Sequence, residues 1–302
     1  MSHPAASWNL VDHIPPDEVI VQGHRGVGEL AEENTIEAFE LAWSMQLWPE
    51  ADLRMTRDGV IVPFHDHNFN RVVQDLPAAL RDKGVEDVTF AELSRLDVGS
   101  WRGEHCRGHH VVPMQSIFER MRGRPDRHLY MDVKRVDFAR LAEEVRGNGV
   151  ERQVVLASCE VAHLRTWKSL APEGETLLWV HGNEAEIRRD LARYRQDNFS
   201  GITQLQLHIY PKVTDDGWAP PTDPSPDDNP FRLRSDFLRE VGDELRTHGL
   251  LYQAYVVTAD AAAYARLMDL GLMSFATDHP VDAWREIRRY YEQRRAAPVA
   301  PR

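Results

Sequence analysis

Two cysteines in 302 residues, Cys106 and Cys159, are too few for a disulfide framework, which excludes the small stapled folds of secreted domains. Basic residues are also in short supply: 36 Lys and Arg face 48 Asp and Glu, a formal net charge of −12. A nucleic-acid surface needs the opposite surplus, because phosphates recruit Lys and Arg, so no nucleic-acid partner is expected. No apolar run approaches the roughly 18 residues of a membrane helix, and no membrane anchor is expected. The opening stretch, MSHPAASWNLVDHIPPDE, has neither a basic start nor an apolar core, so it reads as no signal peptide and a cytoplasmic location is expected. Hydrophobic residues, at 42%, suffice for a sizeable core, which rules out wholesale disorder.

What recurs along the chain is a short apolar run followed by a stretch of helical periodicity, the signature of βα units and a parallel sheet. The first run is Val19-Ile20-Val21, which leads into Gly23-His24-Arg25-Gly26. A helical stripe of Ile36, Phe39 and Trp43 follows, with Asn34 and Glu37 spaced as its N-terminal cap pair. The second run spans about Glu50 to Met55. It reaches Asp58-Gly59 and is followed at once by Val60–Phe64. A turn this tight allows only an antiparallel return, so Val60–Phe64 is expected as a hairpin arm.

Residues 67–112 lack the βα rhythm and read as an insertion. After a helical stretch at Met114–Arg122, strands are expected at Leu129–Val133, Val154–Ser158, Thr176–Val180, Ile202–Leu207, Leu251–Val257 and Met273–Thr277. With the first two runs these make eight. The expected fold is α/β, a TIM (β/α)8 barrel forming a single domain over 1–302, with a hairpin and a small insertion after the second strand. The segment Tyr210–Pro230 holds six prolines and five aspartates and reads as a long loop. The tail beyond Arg294 is expected to fray.

Active sites of such barrels gather at the C-terminal ends of the strands, and polar residues collect there in this chain. His24 and Arg25 follow the first strand. Glu50 and Asp52, two apart on the second, share one side of it. Asp132 and Lys134 close the third, and His65 with Asp66 lie where the hairpin arm returns. Three inward carboxylates cannot all stay ionised in a partly desolvated cavity. A hard cation such as Mg²⁺ or Ca²⁺ resolves this, and so would ion pairs of Glu50 and Asp52 with Arg54 or Arg25. Spacing leaves those two readings level. His24 and His65, taken singly, read as structural histidines. Cys106 with His109 and His110 raises the thought of zinc, but no second Cys pair accompanies them.

Together these residues resemble the glycerophosphodiester phosphodiesterases, whose pattern is HRG, P-E-N-T, E-x-D, T-x-D-G, HD and E-x-K. Here the pattern reads His24-Arg25-Gly26, Glu33-Asn34-Thr35, Glu50-Ala51-Asp52, Thr56-Arg57-Asp58-Gly59, His65-Asp66 and Asp132-Val133-Lys134. Glu92-Leu93, Leu96 through Trp101, Val112-Pro113 and Thr277-Asp278-His279-Pro280 extend the likeness over about residues 19 to 280. Three positions depart from it. Glu32 stands where the family has proline, Asp132 replaces a glutamate, and W-T-V-N appears as Tyr255-Val256-Val257-Thr258.

The resemblance implies hydrolysis of a small phosphodiester, a glycerol-3-phospho-alcohol, to glycerol 3-phosphate and an alcohol. It implies one divalent cation, Mg²⁺ or Ca²⁺, on Glu50, Asp52 and Asp132, with Arg25 and Lys134 offsetting phosphate charge. His24 and His65 would divide the roles of general acid and base, acting through water or through the substrate's own glycerol hydroxyl. Tyr255 is expected to contact the alcohol, and Trp218, in a loop that follows the sixth strand and so belongs at the active-site face, either contacts it too or packs on the barrel rim. A lysophospholipase D or a sphingomyelinase-D-like activity on the same barrel is the alternative, and a catalytically silent phosphate-ester binder is a further one.

Overall fold

A computed structural model of the chain describes residues 8–212, 227–258 and 260–296. Among the described residues nine strands form one sheet: β1 (Val21–Gly23), β2 (Trp48–Met55), β3 (Ile61–Pro63), β4 (Leu129–Arg135), β5 (Val154–Ser158), β6 (Glu175–Val180), β7 (Gln204–Ile209), β8 (Leu251–Val256) and β9 (Ser274–Thr277). Their hydrogen-bonding order is β1-β9-β8-β7-β6-β5-β4-β2-β3, and β1 also pairs in parallel with β2, which makes a ring of eight with β3 left outside it. Helices alternate with these strands: α1 (Ile36–Ser44), α2 (Phe90–Leu93), α3 (Met114–Met121), α4 (Phe138–Asn148), α5 (Val161–Leu170), α6 (Glu184–Arg195), α7 (Ser235–Thr247), α8 (Ala262–Asp269) and α9 (Pro280–Ala296). This is the expected TIM barrel. By its contacts the chain falls into two compact units, Gln22–Leu178 and Met1–Val21 with Trp179–Arg302.

In the Gln22–Leu178 unit, β2 is paired on both sides. It runs parallel to β4, with Glu50 opposite Tyr130 and Asp52 opposite Asp132, and antiparallel to β3, with Leu53 opposite Pro63. The Asp58-Gly59 turn makes the return, as expected, and Gly59 takes φ +86° there. The register of β2 on β4 skips Lys134, so that Arg54 faces Arg135. Residues 67–112 form no βα unit. They build an apolar cluster instead, in which Phe69, Val72, Val85, Leu93 and Val98 pack on Val62 and Phe64 of the hairpin arm. At roughly 1.5–3 kcal/mol for each fully buried aliphatic or aromatic side chain, this cluster clamps the arm to the insertion.

The second unit carries a buried polar ladder across β7, β8 and β9. Gln206 donates to Gln253, Gln253 donates to Ser274 Oγ at 2.8 Å, and Ser274 Oγ donates to the Ile20 carbonyl at 2.9 Å. Each of these buried groups has a hydrogen-bond partner, as buried amides and hydroxyls require. The long segment after β7 leaves and returns through an antiparallel bridge between Pro211 and Phe231.

Three local expectations change. The first strand begins at Val21 rather than Val19. The cap of α1 is Thr35, whose hydroxyl accepts from the Ala38 amide, and Asn34 is free of that duty. Helix α9 runs through Ala296, two residues past Arg294, and the rest of the tail expected to fray lies outside the described residues. No helix among the described residues is long and apolar enough to cross a membrane.

The turn after β1 is tight. Gly26 sits at φ +117°, and a Cβ on Gly23 would stand 2.0 Å from the Gly26 carbonyl oxygen. Since backbone cannot yield as a flexible side chain does, Gly23→Ala should destabilise the protein by roughly 1–3 kcal/mol or more. Urea denaturation measures this, and an unchanged midpoint would show that the turn has slack.

Candidate functional site

Strand β2 alternates its side chains, so Glu50 and Asp52 emerge on one face, and the parallel register sets Asp132 of β4 beside Asp52. All three are buried, and an oxygen of each lies within 4.8 Å of the others. The spacing argument therefore holds in three dimensions. Arg54 does not neutralise them. Its guanidinium pairs with Glu86 at 2.8 Å and donates to the His65 carbonyl from Nε at 3.2 Å and Nη2 at 3.0 Å.

Lys134 sets a positive charge against two of these carboxylates. Its Nζ lies 2.5 Å from Asp132 Oδ2 and 3.1 Å from Asp52 Oδ1. Arg25 Nε stands 3.8 Å from Asp52 while its Nη1 reaches Glu33 at 3.2 Å. Asn34 closes the other side of Asp52, donating to Oδ2 at 2.8 Å and accepting from the Asp52 amide at 2.9 Å. Asn34 holds φ 55°, a left-handed conformation that asparagine adopts more readily than most residues.

The three carboxyls respond differently to one environment. Burial pushes Asp52 up, but Lys134, His65, Arg25 and the Asn34 amide together draw it down to about 2. Burial raises Asp132 to about 6, with the neighbouring charges of Glu50 and Asp52 adding to the shift against the pull of Lys134. Burial also raises Glu50, opposed by the charge of His24. The cations converge on Asp52 more than on its neighbours, and the imbalance falls on Glu50 and Asp132. An all-oxygen set of this kind fits a hard divalent cation.

His65 is held through its ring. Its Nδ1 lies 2.7 Å from Asp66 Oδ1. Arg71 donates to Asp66 Oδ2 at 2.7 Å and forks onto Glu33 at 2.6 and 2.7 Å, and Glu33 in turn meets Arg25. A chain of alternating charge thus runs from His65 through Asp66, Arg71, Glu33 and Arg25 to Asp52. Although Asp66 is partly buried, the bonds from Arg71 and His65 lower it below the usual carboxylate range. Arg71 is absent from the motifs read in the sequence, and no local pattern marks it. Asn34 lay within a recognised motif but read there as a helix cap.

His24, Arg25, Glu50, Asp52, His65, Asp132 and Lys134 all belong to the Gln22–Leu178 unit. Tyr255 belongs to the other. It donates to Asp278 Oδ2 at 2.9 Å and packs edge-on to His208, which stacks with Trp179. Trp218 lies outside the described residues. His110 is turned away from Cys106 and His109, with Nδ1 donating to the Leu96 carbonyl at 2.8 Å.

Comparison with known proteins bears on this geometry. The family model described as the glycerophosphoryl diester phosphodiesterase family matches residues 24–282. A glycerophosphodiester phosphodiesterase of Bacillus subtilis is 24% identical over 302 residues, covering 96% of this chain and 94% of its own. The crystal structure of a glycerophosphodiester phosphodiesterase from Agrobacterium tumefaciens superposes with a TM-score of 0.66 at 21% identity, over 88% of this chain and 99% of its own. A phosphodiesterase from Oleispira antarctica, solved with the product sn-glycerol-3-phosphate, gives a TM-score of 0.62 at 21% identity, over 89% and 96%. At these identities the two structures speak for the fold.

The raised Asp132 carboxyl has a consequence for stability without metal. A group whose folded value, about 6, exceeds its ordinary 3.8 binds its proton more tightly in the folded state. Its stabilisation is complete below about pH 4 and is lost as pH rises through about 6. The chelator-treated protein should therefore melt at a lower temperature at about pH 7.5 than at about pH 5, and Asp132→Asn should shrink that difference. Melting curves across this range decide it, and a difference undiminished in Asp132→Asn would exclude Asp132 as its source.

Proposed function

The chain belongs to the glycerophosphoryl diester phosphodiesterase family, and from that premise we propose a metal-dependent hydrolysis with His24 and His65 moving the protons. The protein is a phosphoric diester hydrolase acting on glycerophosphodiesters. The products on this reading are glycerol 3-phosphate and an alcohol. The observation that carries it is the convergence, in one compact unit, of three buried carboxylates with Lys134, Arg25 and an aspartate-held histidine.

Glu50, Asp52 and Asp132 would hold one Mg²⁺ or Ca²⁺, which when bound neutralises charge on a nonbridging phosphate oxygen. Lys134 and Arg25 stand at the same carboxylates and meet the rest of the phosphate's charge, Lys134 as a point charge and Arg25 as a fork. An ionised Asp66 can only accept, so Nδ1 of neutral His65 carries the hydrogen and Nε2 remains as the basic atom. His24, whose positive charge would favour ionised Glu50, serves as the second proton carrier. A positioned acid or base contributes about 10²–10⁴ each. Two of them fall short of what slow phosphate-ester hydrolysis requires, so the charge-neutralising groups must supply the remainder.

Chelation should abolish turnover of a glycerophosphodiester, and Mg²⁺ or Ca²⁺ should restore it. Full activity in exhaustively chelated protein, with no metal by elemental analysis, would end the reading. Asp132 is one methylene shorter than the family's glutamate, which suits the longer bonds of about 2.3–2.6 Å that Ca²⁺ accepts. By calorimetry, Asp132→Asn should bind either cation far more weakly, and Asp132→Glu should shift preference towards Mg²⁺. Affinity unchanged in Asp132→Asn would remove Asp132 from the ligand set.

His24→Ala and His65→Ala should each lower kcat by at least about 10² with circular dichroism unchanged. Near-normal turnover in either variant would show that its histidine carries no proton in the reaction.

A further inference from the structure

A second group of potential ligands lies in the same unit, apart from the three carboxylates discussed above. Glu32, from the turn before α1, is 1% exposed, and Cys106 of the insertion is 3% exposed. The Glu32 carboxylate accepts from Thr35 Oγ1 at 2.9 Å and lies against His109 Nδ1 and the Cys106 thiol. One carboxylate oxygen, Sγ of Cys106 and Nδ1 of His109 all fall within 4.8 Å of one another.

The cysteine and the histidine are fixed before any ligand arrives. They bracket one tight turn, in which the His109 amide donates to the Cys106 carbonyl at 3.3 Å and the Val98 amide donates to the His109 carbonyl at 3.0 Å. Gly99 packs against that turn so closely that a Cβ there would stand 2.0 Å from the Cys106 carbonyl oxygen and 3.0 Å from His109 Cβ. The third ligand is 74 residues earlier in the chain than Cys106, at a position where the family pattern has proline.

We propose that Glu32, Cys106 and His109 form a second metal site that takes a borderline divalent ion of the Zn²⁺ class. Thiolate and imidazole ligands select such ions and exclude Mg²⁺ and Ca²⁺. Thiolate and carboxylate together carry two negative charges, so a dication leaves the buried site neutral, which burial favours. Binding releases the Cys106 thiol proton to solvent, while the His109 proton moves from Nδ1 to Nε2. The His109 ring is partly exposed, at 26%, and a water would serve as fourth ligand. A bound ion would staple the insertion to the turn that carries Asn34 and Thr35. The competing explanation is a hydrogen-bonded cluster in which the Glu32 carboxylate is satisfied by its protein donors alone.

The test uses the whole chain, reduced, stripped with chelator and then held in excess Mg²⁺ to occupy the carboxylate cluster. Co²⁺ should bind with one equivalent showing a thiolate-to-cobalt charge-transfer band, and one equivalent of Zn²⁺ should abolish the band. Cys106→Ser should lack the band and bind Zn²⁺ at least about tenfold more weakly, with Mg²⁺-supported activity within about twofold of the parent. Cys159→Ser should keep the band, because Cys159 is exposed and belongs to no group of potential metal ligands among the described residues. If Cys106→Ser does not fold, His109→Gln serves in its place, with Zn²⁺ affinity reduced by the same factor. A parent chain without the band, a band that survives in Cys106→Ser, Zn²⁺ affinity unchanged in His109→Gln, or displacement of Co²⁺ by Mg²⁺ would each overturn the proposal.

Discussion

Mutual repulsion among Glu50, Asp52 and Asp132 is the constraint around which the first unit is arranged. Parallel pairing of β2 and β4 forces the three carboxyls together, since Asp52 and Asp132 are register partners. Burial removes the water that would screen them. Asp52 keeps its charge because the Lys134 ammonium, Arg25 and the Asn34 amide all converge on it. Glu50 and Asp132 resist ionisation. The protein holds this arrangement at a cost in stability, which is the usual condition of a site preorganised for a cation or a phosphate.

The elements around the acids serve to keep them and His65 in register. The hairpin brings His65 back beside β2, where Arg54 holds its carbonyl and the Phe64 amide donates to the Asp52 carbonyl at 2.7 Å. The insertion buries Phe64 in its own apolar cluster, so the arm cannot peel away without exposing Phe69, Val85 and Leu93. Arg71 ties that insertion to the turn after β1 through Glu33 and orients Asp66 on the way. The segment without βα rhythm thus acts as the brace for the catalytic histidine candidate.

Much of this was legible in the linear chain for a simple reason: barrel strands and hairpins are local. Alternation on β2 places Glu50 and Asp52 on one face whatever the rest of the chain does, and Asp58-Gly59 permits only one kind of return. Apolar runs marked all eight barrel strands, displaced by a few residues at most. The ordered motifs from His24 to Lys134 carried the family likeness, because they occupy strand ends whose spacing the fold dictates. Asn34 misled because a cap and a carboxylate clamp use the same side-chain amide, and only the approach of Asp52 distinguishes them.

Sequence alone therefore determined the fold class, whose βα rhythm and turn types are local, and set Glu50 and Asp52 on one face of their strand. The roles of the carboxylates and histidines came from the family likeness, since spacing by itself left a cation and ion pairs level. Tertiary structure alone decided how the charges are partitioned. Which acid keeps its proton depends on where Lys134 settles and on how completely each carboxyl is buried, and neither is encoded locally. It also decided the partners brought together from distant segments: Arg71 with Asp66 and Glu33, and Glu32 with Cys106 and His109. Contacts of that kind arise when an insertion without local periodicity folds back on the barrel, and a one-dimensional pattern holds no record of where such a segment lands.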